Sequence, residues 1–102
     1  MFKITKTNPE VFNHEKFGNF YRGVCKKEDE TEEEFAARFN KLKEKCNKKF
    51  RVCDDDGMWY FKGLSTTDDD EKAFEPLDTV GVDYGCTYIE YWNKVKNSWE
   101  EL

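Results

Sequence analysis

The sequence predicts an α+β fold: a small, mostly antiparallel sheet of about four strands packed against two amphipathic helices, with a long acidic loop. Three observations predict it. A capping box precedes apolar residues recurring every three or four positions over 31–49, a second such arrangement runs over 87–102, and β-prone runs bounded by turn formers lie between them. With 102 residues there is room for one conventional domain, read as 1–102. Charged residues (38%) slightly outnumber hydrophobic ones (37%), which alone would suggest disorder, but 17% aromatic residues supply the buried area a folded core needs.

Taken in order, Phe2-Lys3-Ile4-Thr5-Lys6 alternates apolar and polar, as a half-buried strand does. Asn8, Pro9 and Glu10 then supply an N-cap, a first-turn proline and an acid, and Gly18 a C-cap, so a short helix is expected over 9–17. Residues 19–25 read as a second strand, with Gly23 as a bulge. In the first long helix, Thr31 and Glu34 form the capping box, and Phe35, Phe39, Leu42 and Cys46 form the apolar stripe. Acids crowd its start and Lys43, Lys45, Lys48 and Lys49 its end, as the helix dipole favours.

Residues 50–53 and 58–64 predict a hairpin closed by Asp54-Asp55-Asp56-Gly57. From Ser65 to Gly85 the periodicity is weak, so this stretch reads as a long connection with a short strand at 79–83. The second long helix places Tyr88, Trp92, Val95, Trp99 and Leu102 on one face. Residues 87–92 also alternate at period two and admit a strand reading.

The N-terminal residues show no signal-peptide pattern and no apolar run approaches the roughly 20 residues needed to span a bilayer, so a cytoplasmic protein with reduced cysteines is expected. Cys25, Cys46, Cys53 and Cys86 then read as mostly buried small hydrophobes.

Charge is the most distinctive feature. The net −5 divides into +4 over residues 1–51, −8 over 52–83 and −1 over 84–102. Asp54, Asp55, Asp56, Asp68, Asp69, Asp70 and Glu71 fall on predicted turns and loops, beside Trp59 and Tyr60. Such a field repels nucleic acid and draws cationic surfaces. In size, acidity and ring content the chain resembles the small inhibitors that viruses encode against host nucleic-acid enzymes. That resemblance of composition implies phosphate or DNA mimicry toward a larger protein with a basic surface. These nine residues are the expected partner-binding set.

Other chemistries fit less well. The acidic runs lack the glycine and terminal glutamate offsets of a calcium loop. His14 is the sole histidine, and the cysteines lie 21, 7 and 33 residues apart, which is no zinc spacing. No phosphate loop, nucleophile elbow or zincin motif occurs. The expectation is therefore a non-catalytic binding module without metal or cofactor. Two alternatives stand behind it: a nucleic-acid-associated module using Lys41, Lys45 and Lys48 of the basic stretch 41–51, and a metal-binding protein or enzyme acting through His14, a cysteine and carboxylates.

Overall fold

The computed structural model describes residues 1–13 and 20–102. It is α+β: one antiparallel sheet of six strands and two helices. The strands are β1 (Phe2–Thr7), β2 (Tyr21–Arg22), β3 (Lys48–Cys53), β4 (Trp59–Ser65), β5 (Tyr88–Asn93) and β6 (Ser98–Glu101). The helices are α1 (Glu32–Lys45) and the short α2 (Glu75–Thr79), the latter flanked by 3₁₀ turns at Glu71–Phe74 and Gly81–Tyr84. The sheet order is β2-β1-β4-β3-β5-β6, so the first strand reaches across the chain to pair with the fourth.

Asn8 fastens that long-range pairing. Its backbone N–H donates to the Tyr60 carbonyl at 3.0 Å and its side-chain amide to the Trp59 carbonyl at 2.8 Å, while its Oδ1 accepts from the Glu10 amide at 3.0 Å. The residue read as the cap of a helix over 9–17 thus makes a turn instead. Residues 9–13 are not helical, and the rest of that expected helix lies outside the described residues. The turn sends Phe12 inward, where it stacks on Phe61 with ring centroids 5.5 Å apart.

Helix α1 forms as expected at its start: Thr31 Oγ1 accepts from the Glu34 amide and the Glu34 carboxylate from the Thr31 amide. It stops at Lys45, four residues short of the expected end, because Lys48 and Lys49 enter β3 beside Ser65 and Leu64. Upstream, Arg38 grips Glu30 with two nitrogens at 2.8 and 2.9 Å and donates to the Cys25 carbonyl, tying the preceding loop to the helix. Of the strand expected over 19–25, only the two residues of β2 are strand among the described residues, and residue 19 lies outside them.

The second long helix does not form. Residues 87–102 fold as the β5–β6 hairpin, turning at 94–97, where Asn93 Oδ1 accepts from the Val95 and Lys96 amides and Asn97 takes a left-handed φ of +54°. The apolar residues here satisfy both a helical and a strand period. Their β-branched and aromatic composition, and the free edge of β3, select the strand. Ile89 and Tyr91 are buried as a result, while Val95, expected on an apolar helix face, is 95% exposed. The short strand expected at 79–83 is replaced by the end of α2 and a 3₁₀ turn.

The core lies on one face of the sheet. Phe2, Ile4, Phe50, Val52, Phe61, Ile89 and Tyr91 line it, and Ala73, Leu77, Val80 and Cys86 of the connection after β4 close over them. The Tyr91 hydroxyl donates to the Ala73 carbonyl at 2.7 Å, so the covering segment is pinned by a buried hydrogen bond as well as by apolar contact. Gly63 in β4 has its own reason: a Cβ there would run into the Lys3 carbonyl and the Phe50 ring.

Candidate functional site

The expected acidic site is divided by the fold. Asp54–Asp56 close the β3–β4 hairpin at one end of the sheet, and Asp68–Glu71 follow β4 at the other. The seven residues of β4 separate them by about 20 Å at the usual strand rise. Asp54 also shapes its own turn, since its Oδ1 accepts from the Asp56 and Met58 amides at 2.9 and 3.0 Å, and Gly57 takes φ +83° to complete it. Asp55 and Asp56 remain exposed. Trp59 and Tyr60 part company as well. Tyr60 packs edge-on against Phe12 and Phe61 on the core side, and Trp59 lies on the opposite face under Lys62.

What the fold does assemble is an acidic covering layer. Residues 68–84 carry seven acids and one lysine, a net −6, over the core face of the sheet. Asp70 caps the first 3₁₀ turn through the Lys72 amide at 2.8 Å, and Asp69 accepts from the Thr67 hydroxyl at 3.1 Å. Ala73, Pro76, Leu77, Val80 and Gly81 are buried, which leaves Asp69, Asp70, Glu71, Asp78 and Asp83 exposed outward. Two apolar side chains, Phe74 (37% exposed) and Val82 (59%), stand among them. The apolar members of this surface escape sequence reading because 65–85 has no clear period from which to tell inward from outward residues.

The other face of the sheet has the opposite sign. The register places Lys6, Lys62, Arg51, Glu90 and Glu101 in one row across β1, β4, β3, β5 and β6, and Lys3 and Lys49 flank Leu64 in the next. Five cations and two acids make this face a net +3 on a chain of net −5. Rings stand among the cations. Lys62 lies over Trp59 at 4.4 Å with Lys6 nearby at 5.9 Å, and Arg51 lies over Trp99 at 4.5 Å while pairing with Glu90 at 2.6 Å. Toward β2, Lys3 and Lys43 of α1 approach Tyr21, and Phe39 meets the same ring edge-on, so α1 sits at that side of the sheet. Between Trp99 and Lys6, a groove of about 340 Å³ is lined by Thr5, Lys6, Lys49, Lys62 and Leu64.

A sequence signal for this face does exist, since Lys49 and Arg51 alternate with Phe50 and Val52, but the basic end of the expected helix masks it. The three lysines of the basic-helix alternative do not share one helix either: Lys41 and Lys45 are exposed on α1, and Lys48 belongs to β3.

All four cysteines are free, with Cys25 exposed and the others buried. Burial raises the Cys46 thiol, lifts Cys53 to about 11 and lifts Cys86 to about 12, so these three are held protonated and are poor nucleophiles at neutral pH. His14 lies outside the described residues. Among the described residues no three His, Cys, Asp or Glu side chains converge as a metal site, and no helix is long and apolar enough to cross a membrane. No protein-family model, curated protein or solved structure matches the chain.

Proposed function

We propose that this chain is a non-catalytic binding protein whose acidic covering layer occupies a cationic, nucleic-acid-binding surface of a larger protein, with carboxylates standing where phosphates would. The observation that carries the reading is the outer surface of residues 68–84: five exposed acids and one exposed lysine, a net −4, with exposed Phe74 and Val82 among them. Carboxylates steer the encounter with a basic surface, and apolar side chains at the centre supply contact area once water is excluded. Steric blocking is the mechanism, as in the virus-encoded inhibitors the composition resembles. Glu71, Asp78 and Asp83 are the charges freest to meet a partner, with Asp69 beside them accepting from the Thr67 hydroxyl and Asp70 engaged in capping. The hairpin acids Asp55 and Asp56 form a second, smaller patch at the far end of the sheet.

The test is inhibition of a cationic nucleic-acid-binding protein, scored as displacement of its oligonucleotide at low and high salt. Two variants are compared with the parent: Asp69→Asn/Glu71→Gln/Asp78→Asn/Asp83→Asn, and Asp55→Asn/Asp56→Asn. Salt-sensitive displacement that the first variant loses and the second keeps is the expected result. Displacement equal in all three proteins overturns the reading.

A further inference from the structure

We infer that the open face of the sheet is a binding surface for single-stranded nucleic acid, with Lys6, Lys49 and Lys62 holding phosphates and Trp59 and Trp99 stacking bases. This surface is independent of the acidic layer, which lies against the other side of the same sheet.

The first observation is the cross-strand row itself. Lys6 stands directly opposite Lys62, and Lys62 directly opposite Arg51. Like charges at directly opposed positions of an antiparallel pair destabilise a sheet. Only Arg51 of the three is neutralised, by Glu90. Lys3, Lys6, Lys49 and Lys62 form no ion pair among the described residues. A polyanion laid across the strands removes that repulsion and releases its own counterions. The chain has acids in excess, yet among the described residues of these strand rows only two, Glu90 and Glu101, fall on this face.

The second observation is where the rings are. Trp59 on β4 and Trp99 on β6 stand on the open face three strands apart, about 14 Å across the sheet, and four residues apart along the strands, about 13 Å, with cations between and beside them. Sheet platforms that bind single strands combine these two parts: a positive track for the backbone and rings on which unpaired bases stack. A duplex hides its base faces and offers nothing for the tryptophans to stack on, so the arrangement suits a single strand. The lysines over Trp59 are not an obstacle, because flexible ammonium groups move from a ring to a phosphate without repacking the core, and at Trp99 the Arg51 guanidinium over the ring offers its own plane to a base.

Two other occupants have matching charge, an acidic protein and the acidic layer of a second copy of this chain. Half-buried rings set among the cations on the same face favour a strand with unpaired bases over either.

The experiment is fluorescence anisotropy of a labelled short oligothymidylate titrated with the full chain over a series of salt concentrations, with the matching duplex in parallel and sedimentation of the protein alone. Tryptophan quenching is read in the same titration. The expected result is binding at low salt with quenching, weaker binding of the duplex, and a log affinity that falls linearly with log salt. In Lys6→Gln/Lys62→Gln the affinity drops and the salt slope shrinks by about 1.4, corresponding to two phosphate contacts on a single strand. In Trp59→Phe, which keeps a ring in the sheet, binding weakens less than in Trp59→Ala, where the loss is about tenfold at unchanged salt slope. The variant of Asp69, Glu71, Asp78 and Asp83 binds the oligonucleotide at least as well as the parent. Four results overturn the inference: no binding of oligothymidylate at low salt, equal binding by the lysine variant with its fold verified by circular dichroism, equal affinity for the duplex, or self-association that the lysine variant abolishes. The last would give the face to a second copy of the chain.

Discussion

Helix α1 and the covering segment 70–86 make a contrast in what builds this molecule. α1 has the strongest local signals in the chain: a complete capping box, acids in its first turn, lysines in its last, and Phe35, Phe39 and Leu42 at helical spacing. Yet none of its fourteen residues is buried. The covering segment has two 3₁₀ turns, a five-residue helix and no clear period, and it buries Ala73, Pro76, Leu77, Val80, Gly81 and Cys86 against the sheet. Local preference forms α1 nearly on its own terms, whereas the covering segment is ordered by what it covers. Strength of local signal and contribution to the core are different quantities, and here they run in opposite directions.

The contrast breaks most readily at Leu77. Truncation to Ala removes a buried side chain with which the covering segment closes over the sheet and is expected to destabilise the protein by about 2–5 kcal/mol. Phe39→Ala on the half-buried stripe of α1 is expected to cost about 1 kcal/mol. Urea denaturation of the two variants measures the difference, and equal losses would remove the distinction between the two regions.

Thiol chemistry sharpens it further. Cys86 ends the covering segment and Cys25 lies in the loop before α1. Burial raises Cys86 to about 12 from an ordinary 9.0, so its protonated form stabilises the fold fully below pH 9, and that contribution disappears as pH rises toward 12. With an aromatic disulfide reagent at neutral pH, one thiol, Cys25, should react quickly and three slowly. All four should react in denaturant.

Smaller effects belong to the helix start. Thr31→Ala removes the cap and is expected to cost about 1 kcal/mol. Hydrogen bonding from Arg38, aided by the Lys27 amide, holds the Glu30 carboxyl down at about 2 from an ordinary 4.5. Its contribution is therefore complete above pH 4.5 and lost as the pH falls through 2. Amide protection factors in the loop 25–31, corrected for the intrinsic pH dependence of exchange, should fall over that interval, while those in β3 and β4 do not follow it.

How much is legible in the sequence follows the same division. The α1 start, the first strand and the β3–β4 hairpin are readable because a capping box, a period of two and an Asp-Gly turn are local patterns. The β5–β6 hairpin is hidden because Tyr88, Trp92 and Leu102 satisfy a helical period as well as a strand one, and only the edge of β3 decides between them. Asn8 reads as a helix cap because its bonds to β4, fifty residues away, cannot be seen in its neighbours. The acidic charges are legible, but their division between two ends of the sheet is not. The basic face needs the register: Lys6, Lys62 and Arg51 become neighbours only when β1 pairs with β4 and β4 with β3. The sheet thereby separates charges that are mixed along the chain into an acidic layer on one side and a cationic, ring-bearing surface on the other.

That separation into two working surfaces is tested most directly by amide chemical-shift mapping, with the labelled protein titrated once with oligothymidylate and once with a short oligolysine peptide. The account predicts that the oligonucleotide moves amides around Lys6, Lys49, Arg51, Lys62 and Trp99, and that the cationic peptide moves those of 68–84. If both ligands perturb the same residues, or neither perturbs its assigned face, the two-surface account is wrong.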